Sequence, residues 1–241
     1  MDWTRKHSLS AGVLYLITFI SIPTLFLYNA VRGANYIVGS GPDWHVYVGV
    51  VLELIVALAG IGTAVALYPV VKRQNESTAL GFVGSRTLEA SMIFVGAFSL
   101  LAVVALRKAG AGATELPAAH SLVNLHDWTF VLGQGLIPAV NAVLLGTLLY
   151  QSRLVPRILP VIGLIGVPLL LVSATLTMVG TISYSSGIRG LLTLPIAFWE
   201  LALGIYLTAK GFRTEGLQKL GFESVESVEP VSGRSRMRSA A

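Results

Sequence analysis

Apolar runs of about twenty residues alternate along this chain with short polar, basic or glycine-rich connectors. A run of that length matches the hydrocarbon thickness of a bilayer when wound as a helix. The pattern predicts an all-α, polytopic membrane bundle of six transmembrane helices, at about residues 9–28, 46–71, 80–106, 121–150, 158–179 and 190–209. Residues 1–210 then form one transmembrane domain. The first run follows a basic start, as in a secretory signal, but Leu9 to Tyr28 exceeds a signal's apolar region and no small-x-small cleavage site follows. It reads as an uncleaved helix that Pro23 should kink, with Thr18 or Ser21 helping to satisfy the freed backbone groups. Beyond Lys210 the chain turns polar and rich in Ser and Glu, so residues 211–241 are expected to be a cytoplasmic tail, disordered after about Gly221.

Polar residues inside the apolar runs are spaced rather than scattered. In the fourth helix Asp127, Gln134 and Asn141 fall seven residues apart, with His120 and Asn124 continuing the row. A heptad step drifts only about 20° on a straight helix, so the three side chains share a face over roughly 21 Å. The second helix carries Gly49, Glu53, Ala57, Gly60 and Ala64 on one small face, and the fifth carries Gly163, Gly166, Ser173, Thr177 and Gly180. Arg86 and Glu89 lie three apart on the third helix and can pair, while Thr193, Glu200 and Gly204 mark the inward face of the sixth. An ionisable side chain at bilayer depth costs on the order of 3 kcal/mol, so these groups should face the bundle interior. The candidate polar seam is Glu53, Arg86, Glu89, His126, Asp127, Gln134, Asn141 and Glu200. Counting along the helices puts Glu53, His126 and Asp127 in an outer layer and Arg86, Glu89 and Asn141 in an inner one, with Gln134 and Glu200 expected to join them.

Composition agrees with this division. Hydrophobic residues make up 54% of the chain and charged ones 12%, too few charges to cover a soluble domain. The net charge of +5 does not indicate nucleic acid, because the basic residues cluster at the ends of the apolar runs. One side collects twelve Lys and Arg, the other Arg32, Arg107, Lys108 and Arg189, and Arg86 is left for the membrane. The positive-inside rule therefore puts both termini in the cytoplasm. The partners expected are the lipid bilayer and, beyond it, a second copy or another membrane subunit. Cysteine is absent, which excludes disulfides, thiolate metal sites and cysteine nucleophiles.

The segments RKHSLSAGVLYLIT, LELIVALAGIGTAVALYPVVKRQN, SRTLEA and LHDWTFVLGQGLIPAVNAVLLGTLLYQSRLVPRILPVIGLIG resemble the bacterial membrane family catalogued as domain of unknown function 4386. The resemblance spans about residues 5–210 and is most specific at Arg86 with Glu89, at His126, and from Leu154 to Gly166. It implies a multi-pass protein of a bacterial inner (plasma) membrane and supplies no catalytic residues.

No Ser-His-Asp or H-E-x-x-H arrangement is present, and Ser121, His126 and Asp127 within one short helical stretch cannot converge on one atom. No enzymatic activity is expected. His45, His120 and His126 gather near one end, but His45 sits in an interfacial Trp-His-x-Tyr cluster, so no metal, haem or other cofactor is expected. Two readings remain. One is a non-enzymatic accessory or structural membrane module, in which the seam holds helices in register. The other is a small transporter or proton-coupled carrier that uses Asp127, Glu200 and Glu89 as relay groups and Arg86 as countercharge.

Overall fold

In a computed structural model, residues 2–184 and 186–222 are described, and among them there is no strand. The helices are α1 (Trp3–Ile17), α2 (Thr24–Leu27), α3 (Trp44–Val71), α4 (Glu76–Lys108), α5 (Leu116–Thr129), α6 (Ile137–Ser152), α7 (Ile158–Met178), α8 (Gly187–Ala209) and α9 (Thr214–Lys219). Six stretches are long and apolar enough to cross a membrane, α1 with α2 forming the first and α5 with α6 the fourth. The chain passes up and down between a terminal end, where α1 begins and α8 finishes, and a loop end.

Several helices run longer than periodicity alone predicts, and caps explain the difference. Asn75 accepts a hydrogen bond from Thr78 N at 2.9 Å, which starts α4 at Glu76 rather than at residue 80. The GATELPA stretch, expected to be loop, opens the fourth span from Ala113. Glu115 reaches back to Gly112 N at 2.8 Å, and Pro117 sits in the first turn of α5, where its missing N–H costs nothing.

Two spans are broken at bilayer depth. Pro23 interrupts the first as expected: Thr18–Ser21 tightens into a 3₁₀ turn, and Thr18, Ser21 and Thr24 each return a hydroxyl hydrogen bond to a carbonyl three residues back. The fourth span is not the straight helix assumed from the heptads. It changes to a π turn at Phe130–Gln134, just before Pro138, which cannot donate back toward Gln134. The π turn resets the phase between α5 and α6. The buried face of α5 is Ala119, Val123 and His126, whereas His120 and Asn124, expected on the seam, are exposed.

Small residues set how closely the helices approach. Gly49, Glu53, Ala57, Gly60 and Ala64 are all buried on α3, as are Gly163, Gly166, Ser173 and Thr177 on α7. The last member of that α7 row, Gly180, is exposed beyond the helix end. Gly12 of α1 lies against α8 so tightly that a Cβ there would come within 2.8 Å of Gly204 O, closing the first span onto the last. Gly163 lies against the fully buried Trp199 ring. At the loop end, Arg107 donates to Asp43 Oδ2 at 3.2 Å and Tyr36 OH to Asp43 Oδ1 at 2.6 Å, tying the first loop to α4.

The polar tail expected from residue 211 does not begin there. Arg213 N donates to Leu154 O at 2.8 Å, Lys219 Nζ donates to Gln151 O at 2.6 Å, and Gly216 packs on the Arg153 and Leu154 backbone. Leu217, Leu220 and Phe222 provide the reason: they are apolar and lie over the terminal end of the bundle, with Phe222 under the Arg73 guanidinium at 3.8 Å. The rest of the expected tail, from residue 223, lies outside the described residues.

These contacts predict opposite outcomes for two glycines. Gly163→Val places atoms where the Trp199 ring lies, 2.5–2.9 Å from an added Cβ, and should cost about 1–3 kcal/mol. Gly84→Ala meets nothing within 4 Å and should gain up to about 1 kcal/mol of helix stability. Thermal denaturation of the detergent-solubilised chain reads both.

Candidate functional site

Arg86 lies on α4 about 15 Å from the terminal end and is, among the described residues, the only buried basic side chain of the spans apart from His126. It is 3% exposed and held from three helices. Nη1 donates to Glu89 Oε2 at 3.0 Å, and Nη2 donates to Glu200 Oε1 of α8 at 2.5 Å and to Tyr15 OH of α1 at 3.3 Å. Asn141 of α6 donates to the same Glu89 oxygen at 2.7 Å. Four spans therefore meet at one guanidinium and two carboxylates. With both acids ionised, the centre carries two negative charges against one positive.

A cavity of about 130 Å³ opens on this centre. Its polar wall is Arg86, Glu89, Glu200 and Gln134 with the hydroxyl residues Thr18 and Ser21, and its apolar wall includes Phe19, Ile22, Val56 and Ile93. Both broken spans border it, the first through Thr18–Ile22 and the fourth through Gln134 and Pro138. Irregular backbone is tolerated at membrane depth where protein buries it or where it lines a cavity, and these two breaks are of that kind.

The second polar layer lies nearer the loop end. His126 of α5 approaches Glu53 Oε1 with Nε2 at 3.1 Å and Asp127 Oδ1 with Nδ1 at 3.2 Å. If both carboxylates are ionised, both ring nitrogens must donate, which requires the imidazolium. Arg32, from the first loop, donates to Asp127 Oδ1 through Nε at 3.2 Å and Nη2 at 2.8 Å. It also donates to Tyr184 OH at 3.2 Å and lies 4.9 Å from that ring. Burial opposes the Arg32 charge, but the hydrogen bond to Asp127 and the neighbouring negative charges outweigh it and raise its pKa. Burial pushes the Tyr184 hydroxyl up to about 12, so it serves as a neutral phenol. Every carboxylate of this layer thus has a hydrogen-bonded partner, and Arg189 lies 4.7 Å from the Tyr184 ring.

All eight expected seam residues thus fall into two layers. Glu53, His126 and Asp127 come together, as do Arg86, Glu89, Asn141 and Glu200, with Gln134 beside the latter group at the cavity. Gln134 and Glu200 do not bridge the layers, because both belong to the inner cavity, whose lining contains none of Glu53, His126 or Asp127. Tyr15, Arg32 and Tyr184 were not among the sequence candidates. The pairing needs of Glu53 and Asp127 could have pointed to Arg32, the first basic residue after the first span. A tyrosine in an apolar run gave no comparable signal for Tyr15. Among the described residues no three His, Asp or Glu side chains group so as to hold a metal ion.

Removing Arg86 leaves two carboxylates facing each other across the cavity wall, so Arg86→Met should destabilise by about 3–5 kcal/mol. Glu200→Gln removes the surplus charge and retains a carbonyl oxygen for Arg86, and should stay within about 1 kcal/mol of the parent. Equal losses in the two variants, measured by thermal denaturation in detergent, would refute this charge assignment.

No curated protein and no solved structure is significantly similar to the chain. A family model described as Domain of unknown function (DUF4386) matches residues 10–211, from the first span to the end of the sixth. That interval holds both polar layers and the cavity, and the chain therefore belongs to this family.

Proposed function

We propose that this protein is a non-enzymatic module of a bacterial inner membrane, with both termini in the cytoplasm, whose two polar layers have different roles. The outer layer is a structural lock that fastens the first loop and the 181–184 turn to α3 and α5. The inner centre is the ligand-receptive part. The observation that carries this reading is that the cavity reaches Arg86, Glu89 and Glu200 and stops short of the fully paired carboxylates of the outer layer. A relay across the membrane needs titratable groups linked by gaps that water can fill, and a paired layer beyond the cavity interrupts such a path. The orientation is supported by the excess of Lys and Arg at the terminal end.

A second reading, a small carrier, is favoured by one feature: the cavity lies where two broken spans meet beside an uncompensated carboxylate. Discontinuous helices of this kind form substrate sites in secondary transporters.

Reconstitution into liposomes loaded with a pH-sensitive dye separates the two. The module reading expects no proton flux from the parent, Asp127→Asn or Glu200→Gln under an imposed gradient. It also expects a lower Tm for Asp127→Asn, which removes the charge facing Arg32. Flux in the parent that Glu200→Gln abolishes would establish the carrier instead.

A further inference from the structure

The inner centre has acceptors left over and, with both acids ionised, charge left over. Glu89 Oε2 is taken by Arg86 and Asn141, and Glu200 Oε1 by Arg86. Glu89 Oε1 and Glu200 Oε2 accept no hydrogen bond from the described residues, and neither is among the sealed polar atoms without partners. Both side chains line the cavity, so these oxygens are its free acceptors. Burying a carboxylate without a countercharge is costly, and the missing partner is a single positive charge carrying hydrogen-bond donors.

The rest of the wall narrows the class of ligand. A bare metal ion needs oxygens on all sides, whereas Phe19, Ile22, Val56 and Ile93 make much of this wall apolar. The cavity also reaches the outer surface of the bundle. Ile22, beside the Pro23 break, lines it and is 53% exposed. A ligand with an apolar body can thus arrive sideways from the bilayer, its polar tip leading toward the two carboxylates.

We propose that Glu89 and Glu200 bind the head of a small primary alkylammonium ion, which donates to Glu89 Oε1 and Glu200 Oε2 while its alkyl chain lies along Phe19, Ile22 and Val56. This rests on the reading of the inner centre as ligand-receptive. Gln134, at the same wall, offers the ammonium a further carbonyl acceptor. Arg86 holds the two carboxylates together across α4 and α8 and faces the bound charge from behind them.

The test is thermal denaturation of the full chain in detergent at constant ionic strength, titrated separately with n-butylammonium, tetramethylammonium and sodium chlorides. Butylammonium should raise Tm progressively, by about 3–6 °C for each tenfold above its Kd. Tetramethylammonium has the charge without N–H donors and sodium has it without an alkyl body, so both should leave Tm unchanged. Glu200→Gln should start within about 4 °C of the parent and lose the butylammonium response. An equal response to sodium, an undiminished response in Glu200→Gln, or no response to butylammonium would each overturn the proposal. In the last case, a rise in parent Tm on acidification that Glu200→Gln removes would assign the compensating charge to a proton. The liposome flux assay contains no amine, so flux there would overturn the module reading without bearing on amine binding, and a missing amine response leaves the outer lock as described.

Discussion

A guanidinium buried at mid-membrane depth is the constraint on which the rest of this bundle depends. Alone in hydrocarbon, Arg86 would cost several kcal/mol, and the fold spends contacts from four spans to avoid that. Glu89 supplies a countercharge within the same helix, Glu200 reaches in from α8, Tyr15 from α1, and Asn141 braces Glu89 from α6. Those distances demand that α1, α4, α6 and α8 converge, and glycines make the convergence possible: Gly12 and Gly204 let α1 and α8 touch backbone to backbone. Charge and small-residue packing therefore specify the same arrangement from different directions.

The two polar layers show how similar residues serve different ends. Near the loop end, two carboxylates meet an arginine and a doubly hydrogen-bonded histidine, so each carboxylate is engaged. Such a layer gives rigidity and register and has little to offer a ligand. At the inner centre one arginine serves two carboxylates, and acceptors are left over beside open space. On the proposed reading, how completely the carboxylates are paired, rather than the kinds of residue present, separates a fastening from a receptive site.

Much of this was legible in the sequence because bilayer thickness imposes length and the cost of buried polar groups imposes direction. The small faces of α3 and α7, the kink at Pro23 and the Arg86 with Glu89 pair followed from spacing alone. The straight fourth span did not, because a heptad count assumes one helical pitch and Pro138 changes it upstream. Arg32 was assigned to a loop by its position between spans, which was right, but a loop residue can fold back onto a helix end, and no periodicity reports that. The docking of residues 214–222 escaped for a related reason. Leu217, Leu220 and Phe222 are too few to form a run, yet enough to cover the end of a bundle already built.

The closing of α1 onto α8 also bears on how the chain is made. Arg86 and Glu89 come from one span as a one-to-one pair, so the first five spans alone would be balanced at this centre. Glu200 comes with the last span, which also supplies the Gly204 surface that seats Gly12. The same late step thus completes the ring of helices and introduces the surplus negative charge. A chain lacking its last span would therefore have neither the second carboxylate nor the wall that contains it.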